Sequence, residues 1–323
     1  MTRPKAWLSV AILAMAMAVA GCGSPQWRTA SGSVWGTAYH ITYESSDDLS
    51  DSIVAVMAEI GESLSMFSPT SNVSRINSGT TDSTDAHFKA VYDISRQVSE
   101  ASGGKFDPTV APLVDLWGFG RAGRDVPLPD SAQIAKALEN VGIGKTDLHD
   151  NRIDRHNRAV QFDFSAVAKG YGVEKVAEML HRNGANNYMV EIGGEIQLKG
   201  HNPKGSKWRI QVDAPVQDSE PGDSALTVLE LTDCGIATSG NYRNYREYGS
   251  ENTVGHTINP LTGHPAPNHL LSATVIAPGC AVADALATAL MASEPDSIAA
   301  ILNKFPSTRA IVVLPSGRTL RFN

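Results

Sequence analysis

Cysteine is scarce in this 323-residue chain, with three in all, and that scarcity excludes a disulfide-dense scaffold and a thiolate zinc site. Cys234 and Cys280 stand in no metal-ligand spacing and read as two buried thiols, with a bridge between them left open. Positive charge is also short. Lys and Arg total 27 against 34 Asp and Glu, a formal net charge of -7, and the basic residues are scattered, so no general basic face awaits a nucleic-acid backbone. There is no internal repeat, no Walker P-loop, no G-x-G-x-x-G after a strand and no G-x-S-x-G elbow. A nucleotide, if bound, is bound by another device.

The hydrophobic fraction of 42% and charged fraction of 19% are those of a globular protein able to bury a real core. The first 22 residues differ: Arg3 and Lys5 precede an apolar run, Trp7 to Ala20, broken only by Ser9. That run is shorter than the roughly 20 residues that a membrane span needs and closes on small residues, so it reads as a secretory signal. Val19-Ala20-Gly21-Cys22 resembles the bacterial lipobox, which implies lipidation of Cys22 and anchoring on the periplasmic side of the cell envelope, at the inner or the outer membrane. Ordinary signal cleavage nearby is the alternative.

Gly23 to Ser33 is small and polar and reads as a flexible tether over 23–33, leaving one folded domain over 34–323. Periodicity predicts strands at Trp35–Tyr43, Ala159–Phe164, Tyr188–Glu191, Glu195–Gly200, Trp208–Val212, Leu226–Leu231, Gly235–Thr238, Ser272–Ile276 and Ala310–Leu314. Helices are predicted at Leu49–Phe67, Asp85–Ser102, Ser131–Val141, Lys169–Asn183, Cys280–Ala292 and Pro295–Lys304. Runs of antiparallel strands mixed with helices give an α+β fold class.

Two patterns carry chemistry on physical grounds. Asp284 and Thr288 fall one turn apart on a predicted helix, so a carboxylate and a hydroxyl can reach one hard cation; the alternative is a helix-surface pair bonded to its own backbone. The small residues from Asp163 to Lys169 lead into a helix whose first amides can face an anion, with Lys169 adding a point charge; a solvated lysine is the alternative.

Six segments, GGKFDPTVAPLVDLWGFG (103–120), DFSAVAKGYG (163–172), EIGGE (191–195), TSGNY (238–242), HTINPLTG (256–263) and ADALATAL (283–290), together resemble the ApbE family, the FAD:protein FMN transferases. The resemblance covers nearly all of the chain from Trp35 onward. It implies a single ApbE-type, T-fold-like domain of mixed, largely antiparallel sheets with packed helices. It further implies Mg2+ held by Asp284, Thr288 and the carbonyl of Ala166, and FAD contacts from Trp35, Phe67, Lys105, Phe106, Asp107, Asp163, Lys169, Thr257 and Ile258. His256 and Asp284 become the catalytic candidates, His256 as a proton acceptor near neutral pH.

The chain departs from the family pattern at four places. Trp35 replaces the usual Met, Phe67 a ligand-stacking Tyr, Lys105 an Ala, and Asn259 the Asp of the His-x-x-Asp-Pro stretch. The implied reaction is magnesium-dependent transfer of FMN from FAD to a Thr or Ser hydroxyl through a phosphoester, releasing AMP. The implied acceptors are flavoprotein subunits of the sodium-pumping quinone reductase or Rnf type with a Ser/Thr-Gly-Ala-Thr-like motif. An FAD pyrophosphatase and a non-catalytic periplasmic flavin-binding lipoprotein are the rival readings.

Overall fold

Along Thr37–Ser45 buried and exposed side chains alternate, the period-2 pattern of a strand with one covered face. In the computed structural model, which describes residues 24–121, 123–216, 219, 222–241, 245–248 and 252–323, this strand is β2. Its partner β1 (Gln26–Val34) runs antiparallel to it over nine rungs, from Gln26 opposite Ser45 to Val34 opposite Thr37. The tether expected at 23–33 is therefore, from Gln26 on, part of the fold. Its polar side chains suit an edge strand with one neighbour and a wet face. The expected signal, with Cys22, lies outside the described residues.

Trp35 and Gly36 join the two strands with φ of 51° and 78°, the two positive angles of a tight hairpin turn. A tryptophan in the left-handed region is strained, and its indole is held by packing: a Cβ on Gly172 would lie 2.8 Å from Trp35 Cζ3, and one on Gly61 3.4 Å from its Nε1.

The next elements are α1 (Ser50–Leu64), α2 (Asn72–Asn77) and α3 (Ala86–Ala101). Asp85 caps α3 by accepting the Phe88 N–H at 2.8 Å, and Gly103 and Gly104, at φ 63° and 84°, end it. There follow α4 (Ala111–Leu116), α5 (Ser131–Leu138), the hairpin β3 (Thr146–His149) and β4 (Arg152–Arg155), and α6 (Ala168–Arg182). The rest is β5 (Tyr188–Ile192), β6 (Glu195–Lys199), β7 (Trp208–Asp213), β8 (Ala225–Leu231), β9 (Gly235–Gly240), β10 (Tyr245–Tyr248), β11 (Asn252–Gly255), β12 (Ser272–Ala277), α7 (Cys280–Met291), α8 (Ile298–Leu302), β13 (Arg309–Val313) and β14 (Thr319–Phe322).

Eight strands form one sheet in the order β1-β2-β5-β6-β9-β12-β13-β14, antiparallel at every pairing. Both α6 and α7 pack on this sheet and on each other, with α1 against α6 and α3 against α7. The α+β class with antiparallel sheets and packed helices is the observed one. Helix α7 is apolar nearly all round, with Ala281, Ala283, Ala285, Ala287 and Ala289 buried, as befits a helix enclosed between sheet and helices. Its small side chains let α6 approach closely: a Cβ on Gly170 would fall 2.7 Å from the Asp284 Cβ.

The strand expected at Ala159–Phe164 is not one. Its chain is extended, but its polar groups find other partners: Asn77 accepts the Phe162 N–H at 2.7 Å and donates to the Phe162 carbonyl at 2.8 Å, while the Asp163 N–H goes to Pro108 O. The expected Pro295–Lys304 helix is a short 3-10 turn, Pro295–Ser297, followed by α8. Phe162 and Phe164 stack 5.5 Å apart and meet Phe88 edge-on at 5.2 and 5.1 Å, anchoring the extended segment in the main core.

Candidate active site

A cavity of about 900 Å³ opens where the β1–β2 turn, the loops after α1, α3 and β11, the entry to α6, the end of β9 and the buried helix α7 converge. Every residue singled out for ligand, metal or catalysis lines it: Trp35, Phe67, Lys105, Phe106, Asp107, Asp163, Ala166, Lys169, His256, Thr257, Ile258, Asp284 and Thr288. Glu195, Ser239, Phe119 and Met66 line it as well. Glu195 and Ser239 stand in the quoted EIGGE and TSGNY motifs, where no chemical part is assigned to them; Phe119 sits in the quoted W-G-F-G run, yet nothing local marks it as cavity wall.

The floor is polar and buried. Asp284, 5% exposed, is the one charged side chain of α7, and its Oδ2 accepts the Gly170 N–H at 2.9 Å. A first-turn amide of α6 thus goes to a carboxylate of the protein itself, and Ala168 N–H goes to Phe164 O. The helix start therefore offers fewer free amides to an anion than its sequence promised, and its positive end favours the Asp284 charge instead. One turn along α7, Thr288 Oγ1 lies 3.2 Å from Ser239 Oγ.

Lys169 Nζ forms an ion pair with Glu195 Oε2 and lies 3.5 Å from the Gly193 carbonyl. Burial pushes the Glu195 carboxyl up to about 8, with Lys169 pulling it down and Asp284 pushing it further up. Asp284 is raised for the same first reason, burial, against the pull of Lys169 and the Gly170 N–H. Burial alone would lower the Lys169 ammonium, but Glu195 and Asp284 outweigh it and raise it. Two buried carboxylates thus share one ammonium and titrate as a unit.

With both carboxylates ionised that cluster is one positive charge short, and a divalent cation beside Asp284 suits it. Among the described residues no group of three or more His, Cys, Asp or Glu is placed to hold a metal, so an all-carboxylate cage is not present. A carboxylate, a hydroxyl and a carbonyl fit a cation that takes oxygen ligands and completes its shell with water or phosphate.

On the walls, Asp107 accepts three bonds from the protein: Oδ1 takes the Thr109 N–H at 2.8 Å and its hydroxyl at 2.5 Å, and Oδ2 takes the Ile143 N–H at 2.7 Å. It braces the loop behind Phe106. Asp163, raised by burial, accepts the Ser165 N–H at 2.8 Å. Lys105 pairs with Glu294 at 3.2 Å. Phe67 is 66% exposed at the mouth, a broad apolar face open to a planar ring. The His256 ring lies edge-on to Phe119 at 6.3 Å, and Thr257 donates to Asn241 Oδ1 at 3.0 Å. Asn259 Oδ1 accepts the Leu261 N–H at 2.9 Å, a turn-holding bond that a carboxylate would make equally well, which explains how Asn stands where the family pattern has Asp.

The ApbE family model matches residues 35–312. The chain belongs to the ApbE family. Among curated ApbE relatives, the FAD:protein FMN transferase of Haemophilus influenzae is 35% identical over 308 residues, covering 90% of this chain and 88% of its own. The Vibrio cholerae enzyme of that name is 36% identical over 289 residues, covering 86% and 85%. Among solved structures, the flavin transferase ApbE from Vibrio cholerae superimposes with a TM-score of 0.81 at 31% identity, covering 92% of this chain and 97% of that one. The apo flavinyl transferase ApbE from Pseudomonas stutzeri gives 0.82 at 31%, covering 93% and 96%.

Proposed function

We propose that this ApbE enzyme takes FAD into the cavity and transfers its FMN half to a Ser or Thr hydroxyl of a target flavoprotein, releasing AMP. The observation that carries the reading is the gathering of Asp284, Thr288, Lys169, Glu195 and His256 around one cavity large enough for a dinucleotide. The bond that forms joins the acceptor oxygen to the FMN-side phosphorus; the bond that breaks joins that phosphorus to the bridging oxygen, which leaves with AMP.

Each residue has a part in that step. Trp35, Phe67, Phe106 and Ile258 offer apolar surface to the rings. Asp163 and Thr257 offer polar groups, and Lys105 stands at the rim. The Lys169 ammonium faces the pyrophosphate and offsets its charge, and His256 accepts the proton of the attacking hydroxyl. Asp284, Thr288 and the Ala166 carbonyl would hold Mg2+, which when bound neutralises charge developing on the phosphates.

Cys22 is proposed as the lipid anchor, placing the cavity on the periplasmic side of a membrane. Among the described residues no helix is long and apolar enough to cross one. The acceptors proposed are exported or membrane redox subunits, of the sodium-pumping quinone reductase or Rnf type, with a Ser/Thr-Gly-Ala-Thr-like motif.

The test is the intact mass of such an acceptor domain after incubation with lipid-free enzyme, FAD and magnesium, with AMP followed in parallel. A gain of one FMN phosphoester that requires the acceptor Thr is expected. AMP with an unmodified acceptor would replace this reading by FAD hydrolysis, and FAD binding without either product would replace it by flavin storage.

A further inference from the structure

We propose that Glu195 is a positioning residue for the transfer: it holds the Lys169 ammonium in the orientation that meets the pyrophosphate. The inference rests on the flavin-transfer reading above and adds a role for a residue that stands behind the contact.

Lysine carries a compact charge on a flexible four-carbon stem, so an unheld ammonium in a wide cavity samples many positions. Here it is held from one turn of the chain. Glu195, 3% exposed, takes Nζ through Oε2, and the Gly193 carbonyl lies 3.5 Å from the same atom. An ammonium has three N–H donors; with two aimed at the wall, one is left for an incoming phosphate oxygen.

The mount itself is rigid. Gly193 and Gly194 turn at φ 61° and 98°, and Glu195 pairs with Ile192 across β5 and β6. The Gly194 N–H donates to Glu191 Oε1 at 2.7 Å, and Glu191 Oε2 lies 2.9 Å from His40 Nδ1 on β2. A Cβ on Gly193 would fall 2.7 Å from Thr37 Cγ2, so the turn is seated against β2. Three strands thus fix the carboxylate, and the carboxylate fixes the ammonium. Once the Glu195 carboxyl is ionised, above about pH 8, asparagine or glutamine in its place would accept the hydrogen bond but leave the ammonium's charge without its buried counter-ion.

The experiment is a double-mutant cycle on the lipid-free enzyme above about pH 8, where the Glu195 carboxyl is ionised, with Glu195→Gln, Lys169→Met and both together, each checked for folding by thermal melting. Glu195→Gln is expected to lower kcat about tenfold to a hundredfold, with the KM for FAD changed by less than about threefold. In the Lys169→Met background the same change is expected to cost less than about twofold further, because its effect passes through the lysine. Glu195→Asp, which keeps the charge on a shorter stem, should fall between, and it serves as the probe if the Gln variant does not fold. Additive losses, or normal kcat in Glu195→Gln, overturn the proposal. If the unmodified enzyme transfers nothing, the activity reading fails separately. The same cycle run on the rate of AMP release from FAD then decides Glu195, coupling supporting the role, and additivity or the absence of any AMP release overturning it.

Discussion

Asp284 shows what one residue does in an otherwise apolar helix. An unpaired buried carboxylate is costly, and here the Gly170 N–H and the Lys169 charge offset that cost. Asp284→Ala is expected to lower FMN transfer by at least about a hundredfold while the helix persists, measured by acceptor mass at saturating magnesium. Full activity would remove Asp284 from the metal set.

The neighbouring Glu195 gives a pH prediction. Its carboxyl is raised from an ordinary 4.5 to about 8, so between those values the folded protein keeps a proton that the unfolded chain has shed. That contribution to stability is whole below about pH 4.5 and is lost as pH rises through about 8. The Tm of metal-free protein should fall across this window, with a shallower slope in Glu195→Gln; equal slopes would count against it. Asp284, Thr288 and Lys169 were legible because they sit in contiguous motifs. The Lys169–Glu195 pairing was not, since it joins residues 26 apart that only the α6–β6 packing brings together.

Elements show where pattern reading holds and where tertiary contacts override it. Helix α3 follows its sequence closely, with an Asp cap, an apolar face at helical spacing and a Gly-Gly stop. The 159–164 segment carries strand-like residues, yet the Asn77 side chain takes the place of a neighbouring strand. Asn77→Ala would leave the buried Phe162 N–H and carbonyl without those partners, at a cost of about 1–3 kcal/mol each. Urea unfolding of the variant should show the unfolding free energy lowered by the sum of the two, about 2–6 kcal/mol, read as the midpoint shift multiplied by the m-value. Strand β1 escaped recognition because a solvated edge strand has no apolar alternation to read.

The approach of α6 to α7 gives a second prediction at this scale. Gly170→Ala sets a methyl 2.7 Å from the Asp284 Cβ and should destabilise the fold by about 1–3 kcal/mol through overpacking. Because the helices must part, transfer should fall as well, so kinetics measured well below the new Tm separate the two effects.

At the scale of the whole molecule, fold class and family were readable because six motifs spread over most of the chain keep their order. The strand order was not, because the β2-to-β5 and β9-to-β12 pairings join strands separated by helices, hairpins and long loops. No local pattern encodes that closure. The cavity, likewise, exists only once stretches from along the whole domain meet, although nearly every residue on its polar floor came from a recognisable motif.

The early start of β1 bears on where the proposed enzyme can work. With the first rung at Gln26 opposite Ser45, only Gly23, Ser24 and Pro25 separate Cys22 from the sheet. Four Cα-to-Cα steps reach at most about 15 Å. A protein lipidated at Cys22 is thus on a short leash, and its working altitude is set by the bilayer. Inserting a long Gly/Ser spacer after Ser24 should leave turnover of a soluble acceptor domain unchanged and raise flavinylation of acceptors whose threonine stands far from the membrane. If Cys22 carries the proposed lipid, distance from the membrane surface becomes a selectivity filter that the cavity itself does not have to supply.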